Sequence, residues 1–135
     1  MQTINEDIKN GTFKPVYLLY GEEAFLKQSY KKKLRAAISG DDTMNYNYFE
    51  GKGLDVNELR MADTTCIVFV EEAVDKRNKL YKKVKDLGHI AEMKRQDSAQ
   101  LARWAATILA QNGRKITPST MNLFLERVGD DMENI

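Results

Sequence analysis

Val16-Tyr17-Leu18-Leu19-Tyr20-Gly21-Glu22-Glu23-Ala24-Phe25-Leu26 is a short apolar run, bounded by Pro15 and Gly21, that passes through an acidic pair into a helical pattern. It reads as a buried strand turning directly into a helix. A nucleotide-binding domain carries its phosphate loop at such a corner. That loop needs glycine-rich backbone whose N–H groups face the phosphates, then Lys and Ser or Thr for charge neutralisation and magnesium. Here Gly21 is followed by Glu22 and Glu23, and Phe25 and Leu26 stand where Lys and Thr would serve. Two carboxylates repel a triphosphate, so the stretch predicts a structural corner with the placement of a nucleotide site and none of its chemistry.

Upstream, Thr3-Ile4-Asn5-Glu6 has the pattern of a capping box and Gly11 that of a stop, which predicts a short opening helix with Ile4 and Ile8 on one side. Downstream, Leu26, Tyr30, Leu34 and Ile38 recur every four residues and predict a helix from about Glu23 to Ile38. Asn45 to Phe49 alternates as a strand does, and Asp55 can cap a helix carrying Val56, Leu59 and Met61 that ends near Asp63-Thr64-Thr65. Cys66-Ile67-Val68-Phe69-Val70 follows, apolar throughout, and reads as a strand buried on both faces. A helix from roughly Lys76 to Leu87 turns Leu80, Val84 and Leu87 inward and ends at Gly88; His89 to Met93 is a weaker last strand. Strands alternating with helices predict a three-layer α/β domain with a mainly parallel sheet.

At Lys94-Arg95-Gln96 the pattern becomes all-helical. Asp97 and Gln100 form a capping box ahead of the stripe Leu101, Trp104, Ala105, Ile108 and Leu109. Thr117-Pro118 opens the next helix, with Met121, Phe124, Leu125 and Val128 as its stripe and Gly129 as its stop. A third helix is expected to begin at Asp130 or Asp131. The boundary therefore falls near residue 95, giving an α/β domain over 1–95 and a small, truncated helical domain over 96–135. The stripe near Met121 and Phe124 is expected to be uncovered and open to self-association.

The 135 residues are 42% hydrophobic and 30% charged, a composition that folds. A net charge of +1 gives no global argument for nucleic acid, so any such argument is local. One cysteine and one histidine leave neither an internal disulfide nor a Cys–His centre. The reading is no catalytic residue, no metal and no cofactor. Cys66 reads as a small buried apolar residue, His89 as structural or exposed and Trp104 as core. With no leader or membrane-span pattern, the expected location is the cytoplasm.

Several pieces carry a resemblance when taken together. They are Pro15 to Glu23 with Phe25-Leu26, Ala62-Asp63-Thr64-Thr65, Val68-Phe69-Val70, Asp75-Lys76-Arg77-Asn78-Lys79-Leu80, and Leu125-Glu126-Arg127-Val128-Gly129-Asp130-Asp131-Met132. In this order they resemble the bacterial DNA polymerase III delta subunit family, the clamp-loader component that opens the sliding clamp. The resemblance implies an AAA+-like first domain without a functional phosphate loop and a small helical, lid-like second domain. It implies a further helical collar domain that this sequence does not include. It also implies a role in DNA replication, with the sliding clamp and other clamp-loader subunits as partners, DNA reached through the complex, and no membrane.

The sequence departs from that family at one junction. A short hydrophobic element, a basic pair, a strand and a helix are expected between Thr65 and Cys66, and here the two are adjacent. The stretch expected there includes the wedge that grips the clamp. Met61, Thr64 and Thr65 border the junction and are, by resemblance, the clamp-binding edge. The basic residues Lys76, Arg77, Lys79, Lys82 and Lys83, with Lys85, form a face able to follow a DNA phosphate backbone; the alternative is the solvated outer side of a helix. Two other functional classes stand beside the adaptor reading. An AAA+ ATPase would need the Lys and Thr missing after Gly21, and a free-standing nucleic-acid-binding domain would need salt-sensitive binding.

Overall fold

A computed structural model describes residues 2–40 and 66–135 of the chain. The strand expected at Asn45–Phe49 and the helix expected after Asp55 lie outside the described residues. The chain divides into two compact units, 1–93 and 94–135.

The first unit runs α1 (Gln2–Asn10), β1 (Val16–Tyr20), α2 (Ala24–Ser39), β2 (Ile67–Glu71), α3 (Lys79–Leu87) and β3 (His89–Glu92). The strand β1, whose five residues are all buried, is the centre of a parallel sheet ordered β2-β1-β3. Val16 pairs with Ile67 at one end and Tyr20 with Glu71 at the other; Tyr17 to Tyr20 pair with His89 to Glu92. Alternation sends Val16, Leu18 and Tyr20 to one face, against Phe69 and Val84. Tyr17 and Leu19 take the other face, where the Tyr17 hydroxyl donates to Asp7 of α1 at 2.7 Å. The helix α2 packs on that side through Leu26, Tyr30 and Leu34. Helices on both faces give the expected three-layer arrangement. Each fully buried residue such as Leu34 contributes about 1.5–3 kcal/mol by leaving water.

The structure departs from the sequence reading at β2, at the start of α3 and at Leu87. The strand β2 is only half-buried, with Phe69 alone below the surface, because among the described residues it pairs on one side only. Burial on both faces belongs to β1. Helix α3 starts at Lys79, not near Lys76, because two side chains stop it extending backwards. Asp75 accepts from the Arg77 N–H at 2.9 Å, and Asn78 caps the helix by accepting from the Leu80 N–H at 2.8 Å. Val84 is buried as expected, whereas Leu87 at the last turn is 38% exposed. Only Gly88 separates α3 from β3, and it lies so close to β1 that a Cβ there would collide with the carbonyl and side chain of Val16.

The second unit contains α4 (Ser98–Gln111) and α5 (Pro118–Val128). Its capping box forms as expected: Gln100 N–H donates to Asp97 at 2.7 Å and the Gln100 side chain accepts from the Asp97 N–H at 2.9 Å. Thr117 caps α5 ahead of Pro118, and Gly129 ends it with φ of 86°. Leu101, Ala105, Met121 and Met132 are buried. Met121 is thus covered, contrary to expectation; Leu123 and Ile108 are the large apolar side chains of this unit that are exposed. Where the third helix is expected to open, residues 132–134 form a turn in which Asp131 accepts from the Glu133 N–H and the Asn134 side chain.

Candidate functional site

The corner at Gly21 lies at the carboxyl end of the sheet, where ligands of open parallel sheets usually bind. Two of its backbone donors are already committed. Gly21 N–H donates to the Glu72 carbonyl at 3.2 Å, and Glu23 N–H to the Met93 carbonyl at 3.0 Å. The Glu23 carboxylate caps α2 by accepting from the Phe25 N–H at 3.3 Å. Met93, leaving β3, donates back to the Tyr20 carbonyl at 2.6 Å. Its backbone sits so close to Gly21, whose φ is 123°, that no Cβ fits there. The backbone of Met93 therefore fills the space directly beside Gly21.

Beside this corner Lys27 is buried, and its ammonium donates to the Glu71 carbonyl at 3.2 Å. The sequence held a signal for this: Lys27 is spaced three and seven residues from the inward Tyr30 and Leu34. At the same sheet edge the Tyr20 phenol is pushed up by burial, then by Glu92, with Lys76 opposing. Lys76 is in turn raised, mainly by Tyr20 and then by Glu92.

This divides the expected basic face. Lys79, Lys82 and Lys83 lie exposed on α3, one turn or less apart, with Lys85 further round. Lys76 and Arg77 sit instead in the loop before the helix. Arg77 forms an ion pair with Asp75 at 3.1 Å, and this interaction holds the Asp75 carboxyl below its usual range. Asp86, one turn after Lys82, interrupts the positive charge. Met61, Thr64 and Thr65 lie outside the described residues.

A second polar cluster, missed in the sequence, lies at the other end of β1. Tyr17 is fully buried, accepts from the Lys14 N–H at 2.9 Å and donates to the buried Asp7. Burial, foremost, raises its phenol well above the ordinary value. His89, the register partner of Tyr17, has a buried Nε2 without a hydrogen-bond partner, and burial lowers its pKa. Cys66 is half-buried, with its thiol pushed up to about 11 by burial. Among the described residues no group of His, Cys, Asp and Glu is placed to hold a metal, and no helix is long and apolar enough to cross a membrane.

No protein-family model and no curated protein matches the sequence. Among solved structures, the chain is similar to the Bacillus subtilis DNA clamp loader delta protein (YqeN), with a TM-score of 0.67 and 16% identity. The match takes in 98% of this chain and 54% of that one, so the chain spans about half the length of its structural neighbour. At this identity the likeness is one of fold: the chain is built as the corresponding half of a clamp-loader delta protein is built.

Proposed function

We propose that this chain acts as a clamp-loader delta-type adaptor: it binds the DNA polymerase III sliding clamp and neighbouring loader subunits and supports clamp opening and loading on DNA. The observation that carries this reading is the match of fold along 98% of the chain to a clamp loader delta protein. In this reading residues 1–95 are an AAA+-like domain without a working phosphate loop, and 96–135 are part of a lid-like helical domain. Catalysis is not its task, and its place is the cytoplasm. The committed amides and the two carboxylates at Gly21–Glu23 weigh against the alternative of an ATPase. Met61, Thr64 and Thr65 border the clamp-binding edge. Lys79, Lys82 and Lys83 are the residues best disposed to approach DNA; Lys76 and Arg77 contribute less, since each already has a partner nearby.

Apolar anchors entering a groove supply most of the energy in such contacts, with charged rims setting orientation. Without the hydrophobic stretch expected between Thr65 and Cys66, clamp binding is expected to be weak. The test is a titration of the purified chain against the sliding clamp and, separately, against the other loader subunits. Weak but saturable association is the expected result. Association with none of them would sink the adaptor reading, and clamp affinity equal to that of a complete delta subunit would show that the missing stretch is not the main contact.

A further inference from the structure

Between β2 and α3, under the loop that joins them, lies a cavity of about 170 Å³. Leu18, Phe69, Leu80 and Val84 form its apolar lining, and Glu71 and Ala73 stand at its exposed mouth. Its size argues for the kind of occupant. Pockets for whole small-molecule ligands usually span roughly 300–1,000 Å³, whereas a hole of roughly 150 Å³ accepts a group the size of benzene. This one fits a single large apolar side chain, and its open mouth leaves room for the rest of a polypeptide.

The charge at the mouth argues for the flanking chemistry. The pairing of Glu71 with Tyr20 and its spacing from Phe69 put its side chain on the cavity face of β2. Its carboxylate is exposed and engaged by no side chain among the described residues. The nearby cations are occupied: Arg77 on Asp75, Lys27 on the Glu71 carbonyl, and Lys76 in the field of Tyr20 and Glu92. An apolar hole beside a carboxylate that no side chain among the described residues engages is complementary to an apolar side chain flanked by a basic one.

We propose that this cavity is an anchor site for a protein partner, taking one leucine-sized or aromatic side chain from a segment whose neighbouring Lys or Arg pairs with Glu71. The site extends the adaptor reading to a second contact and does not depend on the clamp, so it is tested with the chain alone. N-acetyl-Arg-Leu-amide, N-acetyl-Ser-Leu-amide and N-acetyl-Glu-Leu-amide are titrated at millimolar concentration while the methyl resonances of Leu18, Leu80 and Val84 are followed by NMR. All three are expected to shift those methyls, the Arg peptide binding roughly two- to fivefold tighter than the Glu peptide, as one exposed charge pair allows. Glu71→Gln is expected to remove that difference, and Ala73→Leu, which fills the mouth from an exposed position, to abolish the shifts. Absence of methyl shifts with every peptide overturns the proposal. So does equal or tighter binding of the Glu peptide, or shifts that follow the concentration of the chain itself and so mark a second copy as the occupant.

Discussion

His89 carries more information in the structure than its sequence position suggested. As the only histidine, at the start of a strand, it read as structural or exposed; the structure half-buries it and leaves its Nε2 buried without a hydrogen-bond partner among the described residues. Burial pushes its pKa down, Asp7 opposes this, and the positive charge of Lys14 acts with burial. The unfolded chain therefore binds the proton more tightly than the folded one. Stability is expected to be level above the ordinary histidine value of about 6.5 and to fall as pH drops below it, by at most about 1.4 kcal/mol per pH unit for one proton. Urea denaturation at pH 7.5 and 5.5, with His89→Gln alongside, checks this. The variant is expected to lose the part of the slope that lies above the carboxylate range, and parallel profiles for the two proteins would assign the slope elsewhere. The neighbouring Asp7–Tyr17 bond was not legible in the sequence, because a polar pair ten residues apart has no periodic signature; only the docking of α1 brings it together.

Where side chains cap their own backbone, local chemistry fixed the elements closely. Asp97 with Gln100, Thr117 with Pro118, and Gly129 mark ends that the structure reproduces. Asp97→Ala removes one acceptor from an exposed helix start and is expected to cost about 1 kcal/mol. Chemical denaturation followed by helical circular dichroism should show the loss, with Asp97→Asn largely retaining stability; an unchanged midpoint for the alanine variant would mean that tertiary packing alone holds α4. The misreadings have equally local causes. Between Asp75 and Asn78 two capping side chains competed for the start of α3, and the later one prevailed, which took Lys76 and Arg77 off the basic face. After Gly129, Asp131 accepts from the Glu133 N–H, and residues 132–134 form a turn where the third helix was expected to open. Strand burial was harder to read, because the apolar run Ile67–Val70 looks the same whether one neighbour or two will pair with it.

The whole molecule joins a familiar architecture to an unusual corner. The three-layer order followed from alternating strands and helices, yet the reason that Gly21 is crowded came from a residue 72 positions away, where Met93 closes over it. That closure makes nucleotide binding a property to test on the complete chain. Millimolar ATP with magnesium is expected to move the melting temperature by less than about 1 °C, whereas saturation of a tight site would add about 2.7 kcal/mol at a hundred times the dissociation constant. A rise of several degrees would put the ATPase reading ahead of the adaptor reading. The central position of β1 also constrains how the chain comes into being. Val16–Tyr20 must wait for Ile67–Glu71 on one side and His89–Glu92 on the other, so its ladder bonds are all distant along the chain. During synthesis the apolar, β-prone Val-Tyr-Leu-Leu-Tyr run leaves the ribosome long before either partner does, and for that interval it is the segment with most to gain from a chaperone.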